Sequence, residues 1–482
     1  MTSGSSDRQL AGLGYHHGPA AGVNNARAAV GLCRTSSGRR PPGTDDTVRS
    51  WAPHAERPDC RRGGISDPQL VSNVEITVEE KLSHCGDERA FLHTVFLGPG
   101  RKFKYTFVGP SFSKVAIMKI AQVAPLMESV PPRLYGGTER IVSYLTEELV
   151  RMGHEVTLFA SADSITSARL VGCVPTALRL DASFHDPIPY HLLMLDRVRD
   201  AAEDFDIIHF HIDQFHFPLF KPMANRTVTT LHGRQDIADL KPLYLGFHTM
   251  PLVSISDAQR GPVAKANFVA TIHHGIPFDL YTPTFAPRGG YVAFLGRISP
   301  EKRPDRAIRI AQTLGIPLKI AAKVDRADEA YFREQIEPML QMPGIEFIGE
   351  INERAKAKFL GDASALLFPV DWPEPFGLVM IEAMACGTPV LAFRCGSISE
   401  IIDNGVTGQI VSTEEEAIRK LPHLLSLDRR AVRRRFEQRF SAARMAKDYV
   451  QLYRSLIKRP LPLVDPRPDS RVVRPTIKAG LN

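Results

Sequence analysis

No apolar run in this chain approaches the roughly 18 residues that a membrane-spanning helix requires. The N-terminus also lacks the apolar core of a signal peptide, so a soluble or peripheral protein is expected. Cysteine is sparse. The residues at 33, 60, 85, 173, 386 and 395 form neither close metal-ligand pairs nor a dense disulfide framework, and a reducing cytoplasm is the expected setting. Charge is moderate, at 23% charged residues and a net +7, and much of the basic excess sits in the termini and in the run Arg429 to Arg439. No broad cationic face remains for nucleic acid, which is not an expected partner. The segment PPRLYGGTE after the first strong strand lacks the Gly-x-Gly-x-x-Gly fingerprint, which argues against a nicotinamide-dependent oxidoreductase.

What is present is enough apolar residue for more than one core: 43% of 482 residues. Residues 1–117 differ from the rest. Up to about Gly64 they are rich in Gly, Ser, Arg and Pro without apolar periodicity, and burial there cannot offset the ordering entropy. Strand-like patches follow at VSNVEITVEE and FKYTFVGPSF, and the character changes at Met118 to MKIAQVAPL. The expectation is a disordered extension, or a misassigned start with Met118 as the true one.

From Met118 strands and helices alternate. Lys119 to Val123 reads as a strand, Glu139 to Met152 as a helix closed by Gly153, and Val156 to Ala160 as the next strand. Further strands fit 207–210, 228–231, 252–255 and 269–272, and Ser256 to Gln259 reads as a capping box. A second series fits 291–295, 318–321, 345–348, 365–368 and 390–392. The pattern predicts an α/β protein of two doubly wound, Rossmann-like domains, 118–285 and 286–440, joined by the proline-bearing linker 281–290. A last helix, within 441–458, and a disordered tail, 459–482, complete the expected organisation.

The most informative stretch is DWPEPFGLVMIEAMACGTPV, 371–390. Pro373 and Pro375 hold the chain extended, and a helical pattern runs from near Phe376 to Gly387, with Pro389 beyond. Glu374 therefore lies in the loop, and Glu382 roughly 7 to 8 Å along the helix axis. Between them the unpaired amides of Gly377, Leu378 and Val379, at the positive end of the helix dipole, suit a phosphate. A diphosphate with a hydroxyl-rich group on either side fits that layout.

A second constellation is FLGRISPEKRPD, 294–305, in which Arg297 and Lys302 leave the carboxyl end of a strand, where open α/β sheets bind ligands. Arg297 can grip two phosphate oxygens, and Lys302 supplies a point charge. Gly136 and Gly137 let backbone approach a ligand, and His232 follows a strand end.

The 371–390 segment resembles the signature of the retaining nucleotide-sugar glycosyltransferases of family 4: acid, aromatic-glycine turn, second acid and Gly-Thr-Pro fall in register. The resemblance implies the GT-B fold, with the last helix crossing back to brace the first domain. It implies that Glu374 binds the donor sugar, Glu382 the nucleoside ribose, and Arg297 and Lys302 the diphosphate. His232 would meet the sugar near the reacting carbon. Phe376 belongs to the same donor site, and Ile348 and Gly349 to a backbone-lined pocket for the base. The activity implied is transfer of a hexosyl group from a UDP-, GDP- or ADP-sugar to a hydroxyl acceptor with retention, and with no metal or other cofactor. The family's Asn-Gly-Ile-Asp turn stands here as His274, Gly275, Ile276 and Pro277, so His274 is left out of the expected site.

Three other features have simpler readings. Asp204 and Asp206 mimic a metal-binding Asp-x-Asp but lead straight into the strand IIHF. His209, His211 and Asp213 alternate on one strand face, without the second cluster that a zinc site needs. Arg429, Arg433 and Arg434 at helical spacing read as a solvated face, with contact to anionic lipid at the inner membrane surface as the alternative. A sugar-nucleotide epimerase or hydrolase of the same fold, and a non-catalytic sugar-nucleotide-binding protein, are the rival readings.

Overall fold

The computed structural model describes the backbone of residues 78–85, 88–96 and 102–107, and residues 116–134 and 136–458 in full. These fall in two compact units, one within Gly18–Ala116 and one from Ile117 onward. In the first, strands β1 (Val78–Cys85), β2 (Glu88–Phe96) and β3 (Lys102–Phe107) form an antiparallel sheet in that order. The two strand-like patches are thus joined through a middle strand that the sequence reading did not include. The rest of the expected N-terminal extension and the 459–482 tail lie outside the described residues.

The second unit holds two parallel sheets. Strands β4 (Lys119–Val123), β5 (Glu155–Ser161), β6 (Arg169–Val174), β7 (Ile207–Phe210), β8 (Thr227–Thr230), β9 (Leu252–Ser254) and β10 (Phe268–Thr271) pair in the order β10-β9-β8-β7-β4-β5-β6. Strands β11 (Val292–Ile298), β12 (Leu318–Val324), β13 (Ile345–Gly349), β14 (Ala365–Phe368), β15 (Val390–Phe393) and β16 (Gly408–Val411) pair in the order β13-β12-β11-β14-β15-β16. The strands missing from the sequence reading, β6 and β16, are both sheet edges. Half-exposed β6 carries little of the continuous apolar signal that marks a strand covered on both faces.

Period-two alternation assigns each side chain to a layer. In the second sheet Val292 and Phe294 join one core while Ala293 joins the other. In the first, Ala121, Val123, Ile208 and Phe210 pack on one face, and Ile120, Ile207 and Val228 on the opposite one. That opposite face is covered by the helix Ala442–Ile457, whose Met445, Tyr449, Leu452, Tyr453 and Leu456 form one buried stripe. The approach to this helix is tight at Gly275, where an added Cβ would lie 2.3 Å from the Ser441 carbonyl oxygen.

The arginine run is not a solvated face. It forms the helix Arg429–Arg439, which packs beside the helix Leu378–Ala385. Arg429 points inward and donates to the carbonyls of Thr284 (2.6 Å), Ala363 (2.9 Å) and Gly361 (2.9 Å) and to Thr388 Oγ1 (2.6 Å). Arg433, one turn on, donates to the carbonyls of Tyr281 (3.0 Å) and Ala385 (2.5 Å). Arg435 and Arg439 share Asp403, and Arg434 is the one of the three predicted surface residues that stays exposed. The reason is the terminal geometry of neighbouring elements: loop and helix-end carbonyls have no partner of their own, and a five-donor guanidinium satisfies several at once.

Replacing Arg429 by Met strands these buried carbonyls. Urea denaturation is expected to show a loss of about 3 kcal/mol, while Arg434→Met changes stability by less than about 0.5 kcal/mol.

Candidate active site at the carboxyl ends of two sheets

In each sheet the strand order reverses beside its first strand, between β4 and β7 and between β11 and β14. Ligand crevices in open α/β sheets form at such points, because the loops leaving adjacent strands part in opposite directions. In the second sheet those loops carry the two predicted constellations. A 3-10 turn, Pro300–Lys302, follows β11, and the loop after β14 carries Glu374; the Asp371 amide donates to the Glu301 carbonyl at 2.8 Å, tying the loops together.

Lys302 and Glu374 meet there: the ammonium donates to Glu374 Oε2, which also accepts from the indole N–H of Trp372 at 3.0 Å. Lys302 lies 5.1 Å from the Trp372 ring centroid, so the charge rests on an aromatic face. The backbone around Glu374 is held from behind. Ser397 N–H donates to the Glu374 carbonyl (3.0 Å), Ser397 Oγ to the Phe376 carbonyl (3.0 Å), and Ser256 Oγ to the Pro375 carbonyl (2.6 Å). Gly396 makes the closeness feasible, since a Cβ there would lie 2.4 Å from the Glu374 oxygen.

Arg297 is placed differently. Its guanidinium faces Glu301 (2.5 Å), Asp325 (3.6 Å) and Asp328 (3.5 Å), the last two from the segment after β12. The structure therefore brings Lys302 to Glu374 and Arg297 to a ring of carboxylates.

The helix Leu378–Ala385 starts at Gly377, whose φ of 82° is left-handed and whose position has no side-chain cap. Gly377, Leu378 and Val379 thus present their amides without a capping oxygen. From the other half of the unit, Gly137 approaches this end closely enough that a Cβ on it would be 3.5 Å from Leu378 Cδ1. Gly136, at φ 152°, sits against Pro132. The Phe376 side chain turns inward, 2% exposed, between His274 and Phe440, so backbone is what it offers a ligand. Ile348 and Gly349 close β13, with Ile348 exposed and Gly349 in a left-handed turn at φ 72°.

Glu382 is 3% exposed. Its Oε1 accepts from Lys356 at 2.8 Å, while Oε2 is buried without a hydrogen-bond partner among the described residues. Lys356 also reaches Glu353 (3.4 Å), and Glu353 accepts from Arg140 on the first helix, Gly137–Arg151, and from the Tyr281 hydroxyl. Desolvation pushes the Glu353 carboxyl up, but Lys356 and Arg140 overcome this and hold it below the usual range.

Next to the first sheet's reversal, His232 follows β8, the neighbour of β7, and its Nε2 lies 2.8 Å from His211 Nδ1. Its ring stacks on His274, centroids 5.2 Å apart at 17°, and His274 stands edge-on to Phe376 at 4.9 Å. His274, left out on its sequence, is therefore part of the wall that joins His232 to the signature loop. Burial drives the His232 pKa down to about 3, so the ring is neutral at ordinary pH.

Glu139 escaped the sequence reading, and Asp213 was weighed there only as part of a discounted zinc face. Desolvation pushes the buried Glu139 carboxyl, beside Gly136, up to about 7. Asp213, at the end of β7, has a left-handed φ of 50°, and burial raises its carboxyl to about 6. A non-glycine residue held there is uncommon, and its backbone conformation is not marked by the alternating pattern in which it was read. Asp206 caps the start of β4, accepting from the Lys119 amide at 2.7 Å. His209 is tied to Tyr453 and Thr230, both at 2.7 Å. Among the described residues no group of three or more His, Cys, Asp or Glu is arranged to hold a metal ion, and no helix is long and apolar enough to cross a membrane.

The chain is similar to known proteins in sequence and in fold. Residues 284–440 match the model of Glycosyl transferases group 1, and residues 135–256 that of Glycosyltransferase Family 4. The phosphatidyl-myo-inositol mannosyltransferase of Mycolicibacterium smegmatis is 26% identical over 337 residues, 62% of this chain and 82% of that protein. The D-inositol 3-phosphate glycosyltransferase of Mycobacterium tuberculosis is 30% identical over 185 residues, 33% of this chain and 36% of that protein. Among solved structures, a glycosyltransferase involved in avilamycin A biosynthesis superposes with a TM-score of 0.56 at 24% identity, over 70% of this chain and 98% of that one. HepE of Anabaena, solved in complex with UDP and glucose, superposes with a TM-score of 0.55 at 17% identity, over 70% of this chain and all of its own length (100%). With two parallel sheets, the signature loop at the reversal of the second, and the two family models matching in succession along the chain, it belongs to the family 4 glycosyltransferases of GT-B fold.

Proposed function

We propose that this glycosyltransferase moves a hexosyl group from a nucleoside-diphosphate sugar to a hydroxyl acceptor, with retention at the anomeric carbon and without a metal ion. The observation that carries the reading is the Lys302–Glu374 pair set beside the uncapped start of Leu378–Ala385. An ammonium and exposed helix amides suit a diphosphate, and the carboxylate next to them suits sugar hydroxyls. Glu382, with one oxygen bonded to Lys356 and the other without a partner among the described residues, suits ribose hydroxyls. HepE, solved with UDP and glucose, is a neighbour in fold and supports a nucleotide-sugar donor.

As the bond between the anomeric carbon and the diphosphate oxygen breaks, negative charge grows on the leaving group. Lys302 and the amides of Gly377 to Val379 stabilise it in place, a contribution made in the transition state rather than the ground state. Arg297 adds to this when the diphosphate competes for it against Glu301, Asp325 and Asp328. The acceptor oxygen attacks the face that the diphosphate leaves, and its proton passes to the departing phosphate oxygen. No dedicated protein base is needed. His232, neutral, borders the sugar without adding repulsion to the positive charge that develops at the reacting carbon.

The test is a screen of UDP-, GDP- and ADP-sugars for acceptor-dependent diphosphate release, with the product anomer read by NMR; inversion would overturn the retaining assignment. Glu382→Gln is expected to raise donor KM by about tenfold or more, as expected for losing a hydrogen bond to a charged group. Arg297→Ala is expected to lower kcat by about two to three powers of ten.

A chelator in the same assay is expected to leave the rate unchanged, and a rate restored only by added Mn²⁺ would contradict a metal-independent reaction.

A further inference from the structure

Beneath the crossing helix the apolar face of the first sheet is interrupted by polar residues of one parity. Gln122 on β4, His209 on β7 and Thr230 on β8 turn the same way as Ile120, Ile207 and Val228, toward Tyr449 and Tyr453, and His211 and His232 follow just beyond the strand ends. Gln122, His209 and Thr230 are fully buried, and His211 nearly so. Such a network persists in a core only when every donor finds an acceptor, so the direction of one hydrogen bond fixes the direction of the next.

The protons can be traced. Gln122 Nε2 donates to the Tyr453 hydroxyl oxygen at 3.3 Å, which turns Oε1 toward His211 Nε2, 2.8 Å away. An amide oxygen only accepts, so His211 carries its proton on Nε2 and its neutral ring leaves Nδ1 bare. That bare nitrogen lies 2.8 Å from His232 Nε2, which must then donate to it. Desolvation, together with the neighbouring His209, His232 and His274, keeps His211 neutral. Tyr453 meanwhile directs its own O–H to His209 Nδ1, and His209 Nε2–H meets Thr230 Oγ1, each at 2.7 Å.

We infer that Gln122 and His211 are positioning residues that lock His232 in its Nε2–H tautomer, leaving Nδ1 as a lone-pair acceptor for a hydroxyl of the donor sugar. This rests on the reading of His232 as a donor-sugar contact. A lone pair at Nδ1 selects a sugar that offers a hydroxyl proton there. The opposite tautomer would present N–H and aim a positive dipole at the reacting carbon. The second layer thus acts through the orientation of a single amide, whose Nε2 donates to Tyr453 of the crossing helix.

The test uses the full chain labelled with [15N]histidine, the His232 resonances being identified by their loss in His232→Gln. The expected wild-type spectrum shows a protonated Nε2 and an unprotonated Nδ1. His211→Phe removes the acceptor, and is expected to give mixed tautomers and a kcat about ten- to hundredfold lower with donor KM little changed. His211→Asn places an amide oxygen near the position of Nδ1 and is expected to restore both. The inference is overturned by an Nδ1–H or charged His232 in the wild type, as the reversed Gln122 amide would give. It is equally overturned by an unchanged tautomer or kcat in His211→Phe, or by no recovery in His211→Asn. Should His211→Phe not fold, the wild-type and His211→Asn spectra decide. The spectra need no turnover, so absence of transferase activity would count against the proposed function and leave this result readable.

Discussion

A carboxylate inside an apolar core demands a cation beside it, and Glu382 imposes that condition on the second unit. It stands on a helix whose Met380, Ile381, Ala383 and Met384 are fully buried. Lys356 answers it, Glu353 answers Lys356, and Arg140 answers Glu353 from the first half of the unit. Because each charge in this chain is largely desolvated, losing one partner would leave a neighbour uncompensated, a cost greater than any exposed ion pair repays. The two sheets are therefore joined at the helix that bears the signature, through electrostatics as well as apolar packing.

The same condition recurs with neutral groups. Arg429 and Arg433 collect carbonyls left over at loop and helix ends. Ser256 and Ser397 anchor the carbonyls of Pro375, Glu374 and Phe376, which leaves the amide side of that turn to a ligand. Beneath His232, Gln122 and the buried histidines transmit a proton arrangement from the crossing helix to the edge of the cleft. In each case a polar atom in a low-dielectric setting forces a specific partner, and rigidity follows from that need.

The site was legible in the sequence to different depths. The spacing of Glu374 and Glu382 across a loop and a helix could be read because proline, glycine and helical periodicity mark that boundary locally, and the helix does start at Gly377. Lys302 was read as leaving the carboxyl end of its strand with Arg297, and the structure pairs it instead with Glu374 of the signature loop. Arg297 was read together with Lys302 because they share a loop, yet it faces carboxylates of the segment after β12, a neighbour that chain order does not reveal. His274 looked irrelevant because its motif departs from the family pattern, and stacking on His232 brings it in. The arginine run looked like surface because charged residues at helical spacing usually are, whereas the carbonyls that Arg429 and Arg433 satisfy come from segments 48 to 155 residues away.

What the amino-acid order determined by itself was local: which segments are strands or helices, where the signature helix begins, and which residues alternate toward which face. These follow from backbone geometry and side-chain period, which act over a few residues. Only the tertiary structure decided which charge answers which, that Glu382 is tied to Arg140 through Lys356 and Glu353, and that one buried amide sets the tautomer chain ending at His232. Desolvation is the reason: it is a property of what surrounds a group after folding, and pairing inside a core is imposed by neighbours distant in the chain.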